Sequence, residues 1–138
     1  MAIQVRHSDD HTIDVLDEVG MIYMSLVIDR LNAALVKGGV KTARARKKIC
    51  ENFLFDLSYQ LDAGWFEQDD NRYFPKVCFL ERAKAKAGEN LGTVKVIHLP
   101  NEATSWHEYA MGVVGQYFDE EETVVPEVRT GSYEMEDE

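Results

Sequence analysis

Between Ile49 and Leu80 a helical hydrophobic pattern runs almost directly into a strand pattern, and any fold for this chain has to pack both. Ile49, Cys50, Phe53, Leu54, Leu57 and Leu61 fall on one stripe of a helical wheel, the recurrence expected of a core-facing helix. Trp65 to Gln68 and Arg72 to Phe79 are aromatic and β-branched runs parted by Asp69-Asp70-Asn71, the composition of a hairpin. Tyr73, Val77 and Phe79 alternate with Phe74, Cys78 and Leu80, so both faces of that strand are apolar and the sheet is expected to be covered on both. Pro75 removes a ladder donor and places the strand at an edge or a bulge.

Upstream, His11 or Thr12 to Val36 reads as the longest helix, with Ser8, Asp9 and Asp10 as candidate caps and Gly38-Gly39 as the stop. Its polar strip (Asp14, Glu18, Ser25, Asp29, Asn32) is narrow. Val15, Leu16, Val19, Ile22, Tyr23, Leu26, Val27, Leu31 and Leu35 cover most of the remaining circumference, so more than one neighbouring layer is needed to bury it. Thr42 caps a second helix running to Asp62, with Gly64 as terminator. Glu81 to Asn90 reads as a short helix or a loose connection, and Thr93 to Leu99 as a third strand. Pro100 stops that strand, and Ser105 with Glu108 has the spacing of a capping box opening a third helix. Trp106, Ala110, Val113, Val114 and Tyr117 form its apolar stripe. The expected fold is α+β: two long N-terminal helices, a small antiparallel sheet of about three strands, a C-terminal helix and a disordered acidic tail. Residues 1–118 form one domain and 119–138 the tail.

With 138 residues, 45% of them hydrophobic, the chain can bury a core without disulfides or metal. Met1 to Asp10 carries neither the basic region nor the apolar run of a secretory signal, and Val19 to Ile28 is too short to span a bilayer, so a cytoplasmic protein with no membrane partner is expected. Cys50 and Cys78 sit in apolar runs without metal-binding spacing and read as free buried thiols.

The net charge of −10 is unevenly spread: residues 119–138 hold nine of the 25 acidic residues and one base, Arg129, leaving 16 acids and 14 bases in residues 1–118. Lys41, Arg44, Arg46, Lys47 and Lys48 crowd the start of the second helix, either a solvated face or an anion-binding site. Arg82, Lys84 and Lys86 form a weaker group. Arg30 projects into the apolar arc of the first helix and needs a partner or the solvent boundary. His98, ending a strand, and His107, opening a helix, are close enough in sequence to converge with Arg30 on a ligand pocket. Phe55 and Tyr59, four residues apart, make a second face of the second helix and a candidate interaction surface. His7 and His11 lack a third fixed ligand, so no metal site is assigned, and Ser58 lacks the surroundings of a nucleophile. The glycine pairs have no phosphate-binding spacing, so no cofactor is expected.

These features favour a non-enzymatic interaction protein acting as a homo-oligomer, with a protein partner as a further expectation. A winged-helix-like nucleic-acid-binding module is one alternative, since a basic helix followed by a hairpin bearing Arg72, Tyr73 and Lys76 has that layout. The other is a small enzyme or ligand binder using Arg30, His98 and His107.

Overall fold

The computed structural model describes residues 3–7, 15–85, 91–119 and 122–132. The fold is α+β. In chain order it comprises β1 (Gln4–His7), α1 (Val15–Lys37), α2 (Ala43–Ala63), β2 (Phe66–Gln68), β3 (Asn71–Tyr73), β4 (Phe79–Arg82), β5 (Val94–Leu99) and α3 (Trp106–Tyr117). The candidate caps Ser8, Asp9 and Asp10 lie outside the described residues, as does His11.

α1 ends where the glycines require. Gly39 has φ +92, a left-handed position that glycine adopts without a Cβ penalty, and Val40 N–H reaches back to Leu35 O at 2.9 Å while Gly39 N–H reaches Val36 O at 3.1 Å. This pair of bonds is the Schellman closure of a helix. Thr42 accepts from Ala45 N–H at 3.2 Å and opens α2, and Gly64 N–H closes it on Gln60 O at 2.8 Å. Lys76 Nζ adds hydrogen bonds to Leu61 O at 3.0 Å and Asp62 O at 3.3 Å, a cation on the last carbonyls of α2, where the helix dipole favours it.

The three helices enclose the core: Leu16, Met24 and Ile28 of α1, Cys50 and Leu54 of α2, and Trp106, Ala110, Val113, Val114 and Tyr117 of α3. On α2 the buried row is Cys50, Leu54 and Ser58, with Leu61 packed beside it. Ile49, Phe53 and Leu57 of the expected stripe are 40%, 43% and 38% exposed. The stripe is therefore turned by about one residue, 100° on a helix, and a buried serine occupies the place where a hydrophobic residue would have marked it. Ser58 Oγ lies 4.0 Å from Met24 Sδ. Burial pushes the Cys50 thiol up to about 11, which keeps it unreactive, whereas Cys78 is exposed, not buried as expected.

The strands form two sheets, not one. β5 is the centre of a mixed three-stranded sheet, parallel to β1 (Gln4 opposite Val96, His7 opposite Leu99) and antiparallel to β4 (Phe79 opposite His98). β2 and β3 form a separate hairpin through Asp69 and Asp70, both left-handed at φ 51 and 72, the turn geometry that matches strand twist. Pro75 explains the division. The run from Arg72 to Phe79 cannot continue one ladder through it, so its first half stays with β2 and its second half leaves to join β5. The hairpin is exposed on both faces, contrary to expectation. Its aromatics cover one another instead: Phe66 stacks on Tyr73 at 5.6 Å, and the Arg72 guanidinium sits 4.1 Å over the Trp65 ring. Glu81 and Arg82 belong to β4 instead of opening a helix.

The three-stranded sheet meets α1 through Phe79, whose ring approaches Tyr23 edge-on at 5.8 Å. The apolar cleft bounded by Tyr23, Val27, Leu57, Val77 and Phe79 encloses about 30 Å³, room for water but not for an organic ligand. By length and composition the whole of α1 could cross a bilayer, which the shorter run Val19 to Ile28 could not. Here one face of it, through Leu16, Met24 and Ile28, packs into the core.

Candidate functional site

α2 and α3 are locked together by one carboxylate. Asp62, in the last turn of α2, accepts from Trp106 N–H at 2.8 Å and His107 N–H at 2.9 Å, and from the His107 ring Nδ1–H at 2.6 Å. These are first-turn donors of α3 that have no partner inside their own helix. The expected capping box is absent: Ser105 occupies the cap position without a side-chain cap bond, and Asp62, 44 residues upstream in sequence, replaces it. A carboxylate at a helix N-terminus also suits the dipole. Asp62→Ala is expected to lower stability by about 1–3 kcal/mol, since it orphans the amide donors and the imidazole in a half-buried place. Chemical denaturation reads the loss; an unchanged midpoint would mean that Ser105 takes over the cap.

Because the Asp62 carboxylate can only accept, the His107 Nδ1 is the donor in this contact. The ring lies edge-on to Phe55 at 5.9 Å and to Tyr59 at 5.7 Å. The candidate interaction face of α2 thus meets the candidate ligand histidine in one cluster, with Phe55 and Tyr59 still 39% and 52% exposed. His98 and Arg30 are placed otherwise. His98 is buried in β5, 4% exposed, and donates from Nε2 to Glu81 Oε1 across the sheet at 3.1 Å. Arg30 is exposed on α1, the solvent-boundary solution to its charge. Among the described residues no group of three histidine, cysteine or acidic side chains is arranged to hold a metal.

The basic segment divides in two. Arg46 turns inward, donating from Nε to Asn32 Oδ1 at 2.8 Å and from a terminal nitrogen to Val40 O at 2.9 Å. Asn32 Nδ2 in turn donates to the Tyr117 hydroxyl at 3.3 Å, and that hydroxyl donates to Asp29 Oδ1 at 2.6 Å. One polar chain therefore joins α1, α2 and α3, and Arg46 is part of the fold. Burial first, then the bond to Asp29, raises the Tyr117 hydroxyl above its ordinary value of 10.0. The folded state holds this proton more tightly than the unfolded chain, so the contribution is complete below that value and is lost as pH climbs through the raised one. Lys41, Arg44 and Lys48 are exposed and Lys47 is half-buried. Arg44 and Lys47 face Phe118, Asp119, Glu122 and Thr123 across a shared cavity.

Sequence reasoning missed Asp62 and Arg46 as the residues that organise this region, because both act on partners distant in the chain. The polar strip of α1 was visible, but not its direction. Asp17 and Asn32 are buried at 8% and 9% exposure, Asp29 holds Tyr117, and Asp17 accepts from the Tyr109 hydroxyl at 3.3 Å. No protein-family model, curated protein or solved structure matches the chain.

Proposed function

We propose that this is an interaction protein that works as a homo-oligomer, most simply a dimer, paired through the outward face of α1. The supporting observation is the reversed amphipathicity of that helix: polar Asp17 and Asn32 are buried against the body, and Asp29, at the edge of the outward face, accepts from the Tyr117 hydroxyl. Val15, Val19, Ile22, Leu26, Ala33 and Val36 recur at alternating steps of four and three, except where Asp29 takes a place in the series. That is the seam period of helices that pair with helices. Val19 and Leu26 are only half-buried, Ala33 is exposed, Val15 and Val36 are 37% and 54% exposed, and Ile22 marks the edge of the face, where it borders the groove toward α3. A seam of this kind is self-complementary across a two-fold axis, so a second copy is its natural occupant. The Phe55, Tyr59 and His107 cluster and the aromatic hairpin remain as surfaces for a protein partner, with Tyr and Trp the residues enriched at such contacts.

A winged-helix reading fits less well. The hairpin tip carries Asp69 and Asp70, which repel phosphate, and Arg72 is already held by Glu67 at 2.8 Å and by the Trp65 ring. The test is sedimentation velocity on Leu26→Glu and Ala33→Glu, each placing a charge in the seam. Both are expected to raise the dimer dissociation constant by at least about tenfold, since an unpaired charge at an apolar contact costs more than the ~1.4 kcal/mol that factor represents. Ala33, being exposed, should leave the melting temperature unchanged. Sedimentation unaffected by both substitutions would exclude this face of α1 as the interface.

A further inference from the structure

The hairpin presents different chemistry on its two faces. β2 and β3 pair Phe66 with Tyr73, Glu67 with Arg72 and Gln68 with Asn71. Side chains alternate along a strand, so the first and third pairs share one face and the second takes the other. On the Glu67 face a cation is already in place: Arg72 donates from Nε to Glu67 at 2.8 Å and lies 4.1 Å over the Trp65 ring. The opposite face has rings and acids without the cation. Phe66 and Tyr73 stack at 5.6 Å with their planes 22° apart, and both are exposed. Asp69 and Asp70 form the tip, separated from the rings by the Gln68–Asn71 pair, a distance of roughly 7–10 Å at the rise of a strand. With Glu67 committed to Arg72, the two aspartates carry the uncompensated charge of the hairpin. Neither makes an ion pair among the described residues.

We propose that the Phe66–Tyr73 face of the hairpin docks a cationic peptide segment of a protein partner. One arginine or lysine lies over the ring pair, and a second, two residues along an extended chain, reaches Asp69 and Asp70. Charge complementarity selects this occupant. The face of an aromatic ring attracts a cation within about 6 Å of its centroid, and the tip carboxylates attract the same sign, so both features choose one ligand chemistry. Basic residues at alternate positions of an extended peptide are about 7 Å apart, which matches the separation of rings and tip. Nucleobases also stack on such rings, but their phosphates would then be carried to the two aspartates. The proposal rests on the reading of the hairpin as a surface for a protein partner, and it is independent of pairing through α1.

The probe is the synthetic peptide acetyl-Gly-Arg-Gly-Arg-Gly-amide, titrated at low salt into the isotope-labelled full chain and followed by amide correlation NMR spectra. Saturable shifts are expected at residues 66–73, and none there with the counterpart in which glutamate replaces arginine. Asp69→Asn with Asp70→Asn is expected to weaken binding by about two- to fivefold, and asparagine keeps the left-handed turn. Phe66→Leu with Tyr73→Leu leaves every charge in place and is expected to weaken binding by about the same factor, the worth of one exposed cation–π contact. Shifts confined to residues 122–132 would mean that the acidic segment gathers the peptide, and would overturn the proposal. So would equal affinity in the chain and the asparagine variant. If the glutamate peptide or a single-stranded dT oligomer moved residues 66–73 as strongly, the hairpin would stay a partner surface and the cationic assignment would fall. If none of the three probes moved them, the partner-surface reading of the hairpin would fall with it.

Discussion

Trp106→Ala is expected to lower the free energy of unfolding by about 3–5 kcal/mol, the cost of deleting a large aromatic from a packed core. For a domain whose whole stability is on the order of 5–15 kcal/mol, that is enough to leave a sizeable unfolded fraction. Trp106 is 4% exposed and is the residue at which the three helices meet. Its ring lies against Gly20 of α1, where a Cβ would collide with it. It borders the apolar cleft with Leu54 of α2, and its backbone N–H is held by Asp62. The Gly20 contact gives a sharper test than the single substitution. Gly20→Ala alone is expected to cost about 1–3 kcal/mol by overpacking. In a Trp106→Ala background the collision is gone, and alanine should then gain up to about 1 kcal/mol over glycine in helix propensity. A change of sign in the double-mutant cycle, read by urea denaturation, is the expected outcome. The same penalty in both backgrounds would mean that the ring does not rest on Gly20.

Leu54→Ala is expected to cost about 2–5 kcal/mol, and Phe53→Ala less than about 1 kcal/mol. Leu54 is 2% exposed and Phe53 43%. The apolar pattern of α2 is broad enough to include both, and a helical wheel ranks Phe53 and Leu57 with Leu54 as core. Packing decides between them: α3 and α1 close on the row through Cys50, Leu54 and Ser58. A serine there is small enough to let Met24 approach, and its polarity hides the row from any pattern based on hydrophobicity. Equal losses for Phe53→Ala and Leu54→Ala would restore the wider stripe as the buried face, or place Phe53 in a contact with another subunit.

What could be read from the residues is what local chemistry decides. The three helices, the Thr42 cap, the Gly38-Gly39 stop and the Asp69-Asp70 turn each follow from a few neighbouring side chains. The features that escaped depend on partners far away in the chain. β1 is four residues with little alternation, and only its parallel pairing with β5 makes it a strand. Asp62 carries no signal of capping a helix that starts more than forty residues later. Arg46 looks like its basic neighbours until Asn32 and Val40 are seen to hold it. The candidate site was legible in its members more than in its grouping: Phe55, Tyr59 and His107 converge, while His98 is spent on Glu81 and Arg30 on solvent. The narrow polar strip of α1 was legible too, but a wheel carries no information about which way a helix faces. The inward turn of Asp17 and Asn32 leaves Val19 and Leu26 half-buried on the other side, and in the proposed pairing a second molecule covers them.

Multi-angle light scattering of the unmodified chain across micromolar concentrations tests that claim most directly. The subunit mass is 15.8 kDa, and pairing through α1 predicts about twice that value, with dissociation only on dilution. A constant mass of 15.8 kDa throughout would contradict it and leave the outward face of α1 without the partner proposed for it.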